Sequence, residues 1–280
     1  MKTASKVALA RSLYQSIKLC RGLVGLGDHC QVTRGGLHYE LDLSQGIDFA
    51  IFLLGSFEPD TAAAIRRHAT LGATALDIGA NIGAHTLNLA RFVGPKGRVL
   101  SFEPTAFAFE KLRKNLELNP EIKDRVRTFQ CFLTAESKTP LPATIYSAWP
   151  LSRTKGVHEK HLGQAMETAG AHSATLDGVL TTEGINKVDL VKLDVDGFEC
   201  NVLGGATTMV ERDRPIFVME LCPYALTERG TTLQQFLNFF IPLGYRFYSA
   251  RTEAPLPSDA FALERMIGDG ASVNVLARCN

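Results

Sequence analysis

Thr74-Ala-Leu-Asp77-Ile-Gly79-Ala80-Asn81-Ile-Gly83-Ala-His85-Thr86 is the stretch around which the chain is organised. A short apolar run containing Asp77 breaks into Gly79 and Gly83, and a helix-like stretch from Ala84 to Val93 follows and stops at Gly94-Pro95. The pattern is strand, glycine turn, helix N-terminus. Glycine lets the backbone turn tightly and lets a ligand approach with no Cβ in the way, and the first helical turn offers free N–H groups. A dinucleotide site has the spacing G-x-G-x-x-G, with phosphates resting on the helix N-terminus. Here Asn81 stands where the second glycine belongs, and the acid precedes the first. An anion at that point repels a pyrophosphate and suits a ligand carrying an ammonium group.

Downstream, Arg98-Val-Leu-Ser-Phe-Glu103-Pro104 reads as a short strand ending in a carboxylate. An acid at the tip of the second strand either accepts hydrogen bonds from both ribose hydroxyls or is a turn acid before a proline. The spacing Asp77-x-Gly79-x-Asn81-x-Gly83, with Glu103 after one intervening helix, resembles motif I and its partner acid in S-adenosylmethionine-dependent methyltransferases.

Composition bounds the rest. With 280 residues and 45% hydrophobic content, the chain can bury one large core or one and a half domains. A net charge of +1 carries no argument for nucleic acid. No stretch approaches the roughly 20 apolar residues of a membrane span; the longest apolar run, Phe49 to Leu54, has a strand's length. The six cysteines include no C-x-x-C pair, which points away from a zinc site or disulfide framework and toward buried thiols in a reducing cytoplasm.

Residues 1–27 carry Lys2, Lys6, Arg11, Lys18 and Arg21 with no acid before Asp28, and apolar residues recur at near-helical spacing. This basic amphipathic helix either packs on the domain or a partner subunit or lies on an anionic membrane surface, the inner face of a cell membrane included. Alternation around Gly35-Gly36 predicts a hairpin over 31–43. Pro59 suits the first turn of a helix over 60–70, which leaves Glu58 as a helix-start charge or a pocket residue. Strands are expected at 74–78, 98–102 and 126–132, with a helix at 105–118 and a further strand at 141–147. The stretch 148–173 holds the only tryptophan, Trp149, with Arg153, Lys155, His158, Lys160, His161 and His172; it reads as a lid, a binding loop or a solvated basic loop. A helix over 174–184 starts after Ser173 or Thr175. Val188–Val195 is a buried strand, followed by a helix over 200–211, a strand at 215–221, a helix at 233–240 and a closing hairpin of 245–249 with 272–277 around a loop at 251–267. Alternating strands and helices predict a parallel sheet with right-handed crossovers. The division expected is 1–70, a helix and hairpin extension packed on the core, and 71–280, the ligand-binding domain.

Asp77-Ile-Gly-Ala-Asn-Ile-Gly, Phe102-Glu103-Pro104, Thr175-Leu-Asp177, Asp189-Leu-Val-Lys192-Leu-Asp194-Val-Asp196-Gly197-Phe-Glu199 and Val202-Leu-Gly-Gly-Ala206 together resemble the FkbM-type methyltransferases over roughly residues 45–225. The resemblance implies an α/β, Rossmann-like, seven-stranded class I methyltransferase sheet with helices on both faces. It implies S-adenosylmethionine as cofactor and O-methylation of a sugar, glycolipid or natural-product hydroxyl. Cofactor contacts are then expected from Glu58, Asp77, Gly79, Ala80, Asn81, Gly83, His85, Thr86, Glu103, Pro104 and Asp194. Asp196 stands where the family usually has Glu, and Ala135 occupies the place of an acid near the adenine, which leaves backbone groups or Glu136 for that task. There is no Asn-Pro-Pro-Tyr motif after the fourth strand; Leu221-Cys-Pro-Tyr224 follows the wrong strand and reads as an exit turn.

An aliphatic hydroxyl is a poor nucleophile, so a general base within hydrogen-bond reach is expected. Candidates are Asp194, Asp196, Glu199 and Glu220 at the strand exits, and His158, His161 or His172 from the loop. Strand alternation places Asp194 and Asp196 on one face. With Glu220 they serve equally as ligands for Mg²⁺. Lys192, inside the strand, is expected to pair with an acid because a lone buried ammonium is costly. Rival readings are an RNA or protein acceptor, a non-catalytic cofactor-binding scaffold and a nicotinamide-dependent oxidoreductase.

Overall fold

The computed structural model describes residues 3–152, 157–158 and 163–279, and of residues 3–7 the backbone alone. Lys2, Arg153, Lys155, Lys160, His161 and the side chain of Lys6 lie outside the described residues. The chain opens with α1 (Thr3–Leu23), then a hairpin of β1 (His29–Arg34) and β2 (Leu37–Asp42). Gly35 and Gly36 turn it with φ of 57° and 80°, the left-handed pair that a two-residue hairpin turn requires.

The apolar run at 49–54 is a helix rather than a strand: α2 (Gly46–Leu54), closed by Gly55 at φ 81°. Apart from Asp48, which is buried and pairs with Lys111, its side chains are apolar: Ile47, Phe49 and Ile51 are buried in the core, and Ala50, Leu53 and Leu54 line a cavity. Helix α3 (Pro59–His68) starts on Pro59 and carries the cations Arg66 and Arg67 in its last turn, which suit the negative end of its dipole.

Then come β3 (Thr74–Ile78), α4 (Thr86–Phe92), β4 (Arg98–Phe102), α5 (Ala106–Glu117), α6 (Pro120–Lys123) and β5 (Val126–Phe129). The strand expected over 126–132 is broken. Its second part, β6 (Cys131–Leu133), leaves the main sheet beside Gln130, whose side chain donates to the Ala169 carbonyl. β7 (Thr144–Ala148) pairs antiparallel with β8 (Gln164–Glu167), and β9 (His172–Ala174) pairs parallel with β6. So 148–173 is partly a folded-over hairpin rather than a plain loop.

Thr175 caps α7 (Leu176–Thr182) by accepting from the Gly178 N–H. After β10 (Leu190–Leu193), the helix expected over 200–211 is two, α8 (Glu199–Gly204) and α9 (Thr207–Asp213). They break where Gly205 presses so close to the Thr134 carbonyl that a Cβ would come within 2.1 Å. The chain finishes with β11 (Ile216–Leu221), α10 (Pro223–Glu228), α11 (Leu233–Leu237), a 3₁₀ turn at Ile241–Leu243, β12 (Tyr245–Ser249), α12 (Ala260–Ile267) and β13 (Val273–Cys279). The expected 251–267 loop thus contains α12, which Asp259 caps through the Ala262 N–H.

Seven strands form one mixed sheet in the order β12-β13-β11-β10-β3-β4-β5. β11, β10, β3, β4 and β5 run parallel and β13 antiparallel to its neighbours. The sheet has helices on both faces, with one buried cluster per face. Tyr14, Leu41, Phe49 and Ile65 share a cluster with Ala75 and Val99, so the N-terminal segments pack directly on β3 and β4. The order reverses between β3 and β10. That is where an open α/β sheet leaves a crevice outside its carboxyl ends. Among the described residues, no helix is long and apolar enough to cross a membrane.

Tyr14 anchors α1: it is 1% exposed, donates to Asp28 at 3.0 Å and meets Phe49 edge-on at 5.9 Å. Tyr14→Ala is expected to lower unfolding stability by about 3 kcal/mol, in line with other aromatic truncations, and to open α1 to limited proteolysis. Urea denaturation with protease mapping measures both.

Candidate functional site

Lys192 sits in the middle of β10, 3% exposed, with Asp77 paired beside it on β3. Its Nζ donates to the Gly79 carbonyl at 2.8 Å and lies 3.6 Å from Asp77 Oδ1 and 3.5 Å from Asp194 Oδ2. Burial alone would lower the proton affinity of the ammonium, but Asp194, Asp77 and Glu58 reverse this and hold it above its ordinary value. Asp77 is fully buried, also accepts from Thr86 Oγ1 at 2.6 Å, and is not part of the cavity wall. The acid expected to meet a ligand ammonium is therefore engaged by a protein ammonium. Thr86 faces Asp77 and Ser101 rather than the cavity.

The motif glycines also serve the chain itself. A Cβ on Gly79, at φ 78°, would stand 1.8 Å from the Asp194 carbonyl oxygen, and one on Gly83, at φ 89°, would stand 2.7 Å from Leu112. Gly79 lets the exits of β3 and β10 touch. Gly83 lets α5 pack on the loop and lies outside the cavity wall. Asn81 takes φ 47°, a conformation Asn tolerates. Its N–H donates to Glu103 Oε2 at 3.0 Å and its side-chain amide to the Ser147 carbonyl at 2.8 Å. Thr105 holds the other Glu103 oxygen through its N–H and its hydroxyl, so the β4 acid is fixed in place and 3% exposed.

Around these exits lies a cavity of about 580 Å³, within the roughly 300–1,000 Å³ of small-molecule sites. Gly79, Ala80, Asn81, His85, Glu103, Pro104, Asp194, Asp196, Glu220 and Glu58 all line it. Glu58 has both roles considered for it: it is the N-cap of α3 at φ 44° and it faces the cavity. His85 is 4% exposed; among the described residues neither of its ring nitrogens has a hydrogen-bond partner, with Glu58 Oε2 standing 3.9 Å from Nε2. Burial pushes its pKa down to about 3, so the imidazole is neutral.

Asp196 has φ 49°, so the chain leaves strand geometry after Leu193 and alternation does not govern how Asp194 and Asp196 are presented. Burial, then the charges of Asp194 and Glu199, raise the Asp196 carboxyl well above the usual range. Glu220, held by the Ser272 hydroxyl at 2.5 Å, is raised by burial and by Asp194 and Glu58. Two candidates are corrected. Glu199 is buried outside the cavity wall and accepts from the N–H groups of Val195 and Gly197, both at 3.3 Å; it holds the turn that carries Asp196. His172 is exposed on β9 opposite Cys131 and does not reach the cavity. His158 pairs with Glu228 at 3.2 Å and is not in the wall either. Ala135 and Glu136 are exposed, and the wall there is Cys131, Phe132 and Leu133. Among the described residues, no three His, Cys, Asp or Glu side chains come together as a metal set, so the magnesium site expected from Asp194, Asp196 and Glu220 is not assembled.

The sequence reading missed Tyr224, Arg229 and Ser272 in the wall, together with residues of α1 and α2. Tyr224 lies in the first turn of α10, where the sequence suggested only a strand-exit turn. Its place beyond a parallel strand's carboxyl end is the signal that points to it.

This strand order, with an acid held at the end of β4 and a cavity at the switch point, defines a class I methyltransferase fold. A family model described as the methyltransferase FkbM domain matches residues 77–247. The chain belongs to the FkbM methyltransferase family. It is 30% identical over 155 residues to methyltransferase sdnD of Sordaria araneosa, a match covering 46% of this chain and 59% of that protein. It is 28% identical over 146 residues to methyltransferase 1 of Beauveria bassiana, covering 46% and 57%. The chain thus spans less than two thirds of the length of these curated relatives. Among solved structures, methyltransferase FkbM from Methylobacillus flagellatus aligns with a TM-score of 0.45 at 16% identity, covering 73% of this chain and 43% of that one.

Burial raises the Glu199 carboxyl to about 7 from an ordinary 4.5. The native state therefore binds more protons than the unfolded chain between those values, and stability falls as pH rises through them. Glu199→Gln keeps the acceptor oxygen and removes the titration. It is expected to match wild type near pH 4 and to exceed it by about 3 kcal/mol above pH 7, from roughly 1.36 kcal/mol per pKa unit. Unfolding curves of both proteins across pH 4–8 check this.

Proposed function

We propose that this chain is an S-adenosylmethionine-dependent O-methyltransferase acting on a hydroxyl of a small molecule or glycan. The observation that carries the reading is the one cavity shared by the glycine loop, the fixed Glu103 and the carboxylates at the β10 and β11 exits. The residues suit the cofactor: Glu58, Glu103, Asp194, Asp196 and Glu220 outnumber Lys192 and Arg229 in the wall, which favours a ligand bearing ammonium and sulfonium charges. The ring nitrogens of buried His85, without a hydrogen-bond partner among the described residues, would suit a polar ligand atom in the same wall. Glu103 would hold the ribose, Phe132 and Leu133 would flank the base, and Glu58 and Asp194 would face the cationic end. The bound cofactor supplies an electrophilic methyl group.

The protein's part is to orient the acceptor oxygen and to take its proton. Asp194 is committed to Lys192. Asp196 is held in a left-handed turn by Glu199, the kind of backbone strain that collects at functional sites. With its carboxyl raised well above the usual range by burial and by Asp194 and Glu199, it is the general base. Glu220 and Tyr224, on the neighbouring exit, orient the hydroxyl.

Calorimetry with S-adenosylhomocysteine tests the first half. Glu103→Gln is expected to weaken binding about tenfold, the value of a charge-assisted hydrogen bond, whereas Asp196→Asn leaves it unchanged. With an acceptor in hand, Asp196→Asn is expected to lower kcat by about 10²–10⁴-fold. Full turnover in that variant would remove Asp196 from the mechanism.

A further inference from the structure

The cavity does not end at the strand exits. It continues into a cleft between α1 and α2, where Leu9, Leu13, Leu53 and Leu54 form the wall with Phe57 and Trp149. These four leucines are 56%, 39%, 43% and 64% exposed, so they face the cavity without being part of the core. Ile47, Phe49 and Ile51 of α2 are buried in the core, Ile47 and Phe49 also reaching the cavity wall; Leu53 and Leu54 are left exposed. Charge is segregated along the cavity. The carboxylates stand at the exits of β4, β10 and β11 and at the start of α3, whereas the described wall residues of α1 and α2 are all uncharged. Both helices precede residue 77, the first residue of the family match, so this arm is built by the chain's own N-terminal segment.

We propose that the α1–α2 cleft receives an apolar body of the acceptor, a hydrocarbon chain or ring system, while the acceptor's hydroxyl reaches Asp196. This rests on the methyl-transfer reading and extends it to the substrate class: a lipophilic alcohol or glycoside rather than a free polar sugar. The occupant follows from continuity. The cleft and the carboxylate end are one cavity, so a molecule held at the polar end and longer than a single sugar ring extends toward the leucines. Covering them releases water from apolar surface.

The test uses the full chain, saturated with S-adenosylhomocysteine, and alkyl β-glucosides from methyl to decyl below their micelle concentrations. Affinity is expected to rise about three- to fourfold per buried methylene, corresponding to ~0.8 kcal/mol each. In the double variant Leu13→Gln with Leu53→Gln, whose positions are exposed enough to spare the fold, that dependence is expected to collapse while S-adenosylhomocysteine affinity holds. Affinity independent of chain length in the wild type, or unchanged dependence in the variant, overturns the assignment. So does a wild-type dimer that the two substitutions dissociate, or binding to anionic phospholipid vesicles that they abolish; either result gives the leucines to another occupant. If chain-length dependence persists while S-adenosylhomocysteine fails to bind, the cleft assignment stands and the methyl-transfer reading falls.

Discussion

The buried ammonium of Lys192 is the interaction on which the ligand edge of this sheet depends. It bridges the Gly79 carbonyl, Asp77 and Asp194 across the point where the strand order reverses. Removing a charge from water costs several kcal/mol unless partners surround it, and here the partners come from both strand exits. The same ion therefore ties β3 to β10 and fixes Asp194 in the cavity wall. Gly79 makes this geometry attainable, since any side chain there would collide with the Asp194 carbonyl.

That arrangement sets the electrostatics of the site. Asp77 is spent inside the protein, and Glu58, Glu103, Asp196 and Glu220 remain in the cavity with little cationic balance. Burial first, and neighbouring carboxylates second, raise the proton affinities of Asp196 and Glu220. Glu199 acts one step behind: its carboxylate gathers the N–H groups of Val195 and Gly197 and so shapes the turn that presents Asp196.

The N-terminal helices contribute differently. Their inner faces join the cluster beneath β3 and β4, and their outer leucines lengthen the cavity away from the carboxylates. One segment thus completes the core and lengthens the cavity, and apart from buried Asp48 the side chains of α2 are apolar because it serves both.

The strand–turn–helix pattern at 74–86, the acid after β4, the parallel sheet and its antiparallel closing pair, and the family were all legible in the residues. Each depends on local periodicity, on glycine placement or on spacing along the chain. Pairing of Lys192 with an acid was legible for the same reason, since a charge inside an apolar strand demands a partner. What tertiary structure alone decided is where each group points. Asp77 turns inward, Glu199 clamps a turn, His172 stays outside, and Tyr224 and the leucines of α1 and α2 converge from distant segments. The run at 49–54 is a helix whose side chains divide between the core and a cavity wall, and no periodicity records that. Sequence spacing specifies neighbours along the backbone; cavities and ion pairs are made between segments far apart in the chain, and only the packed fold sets those distances.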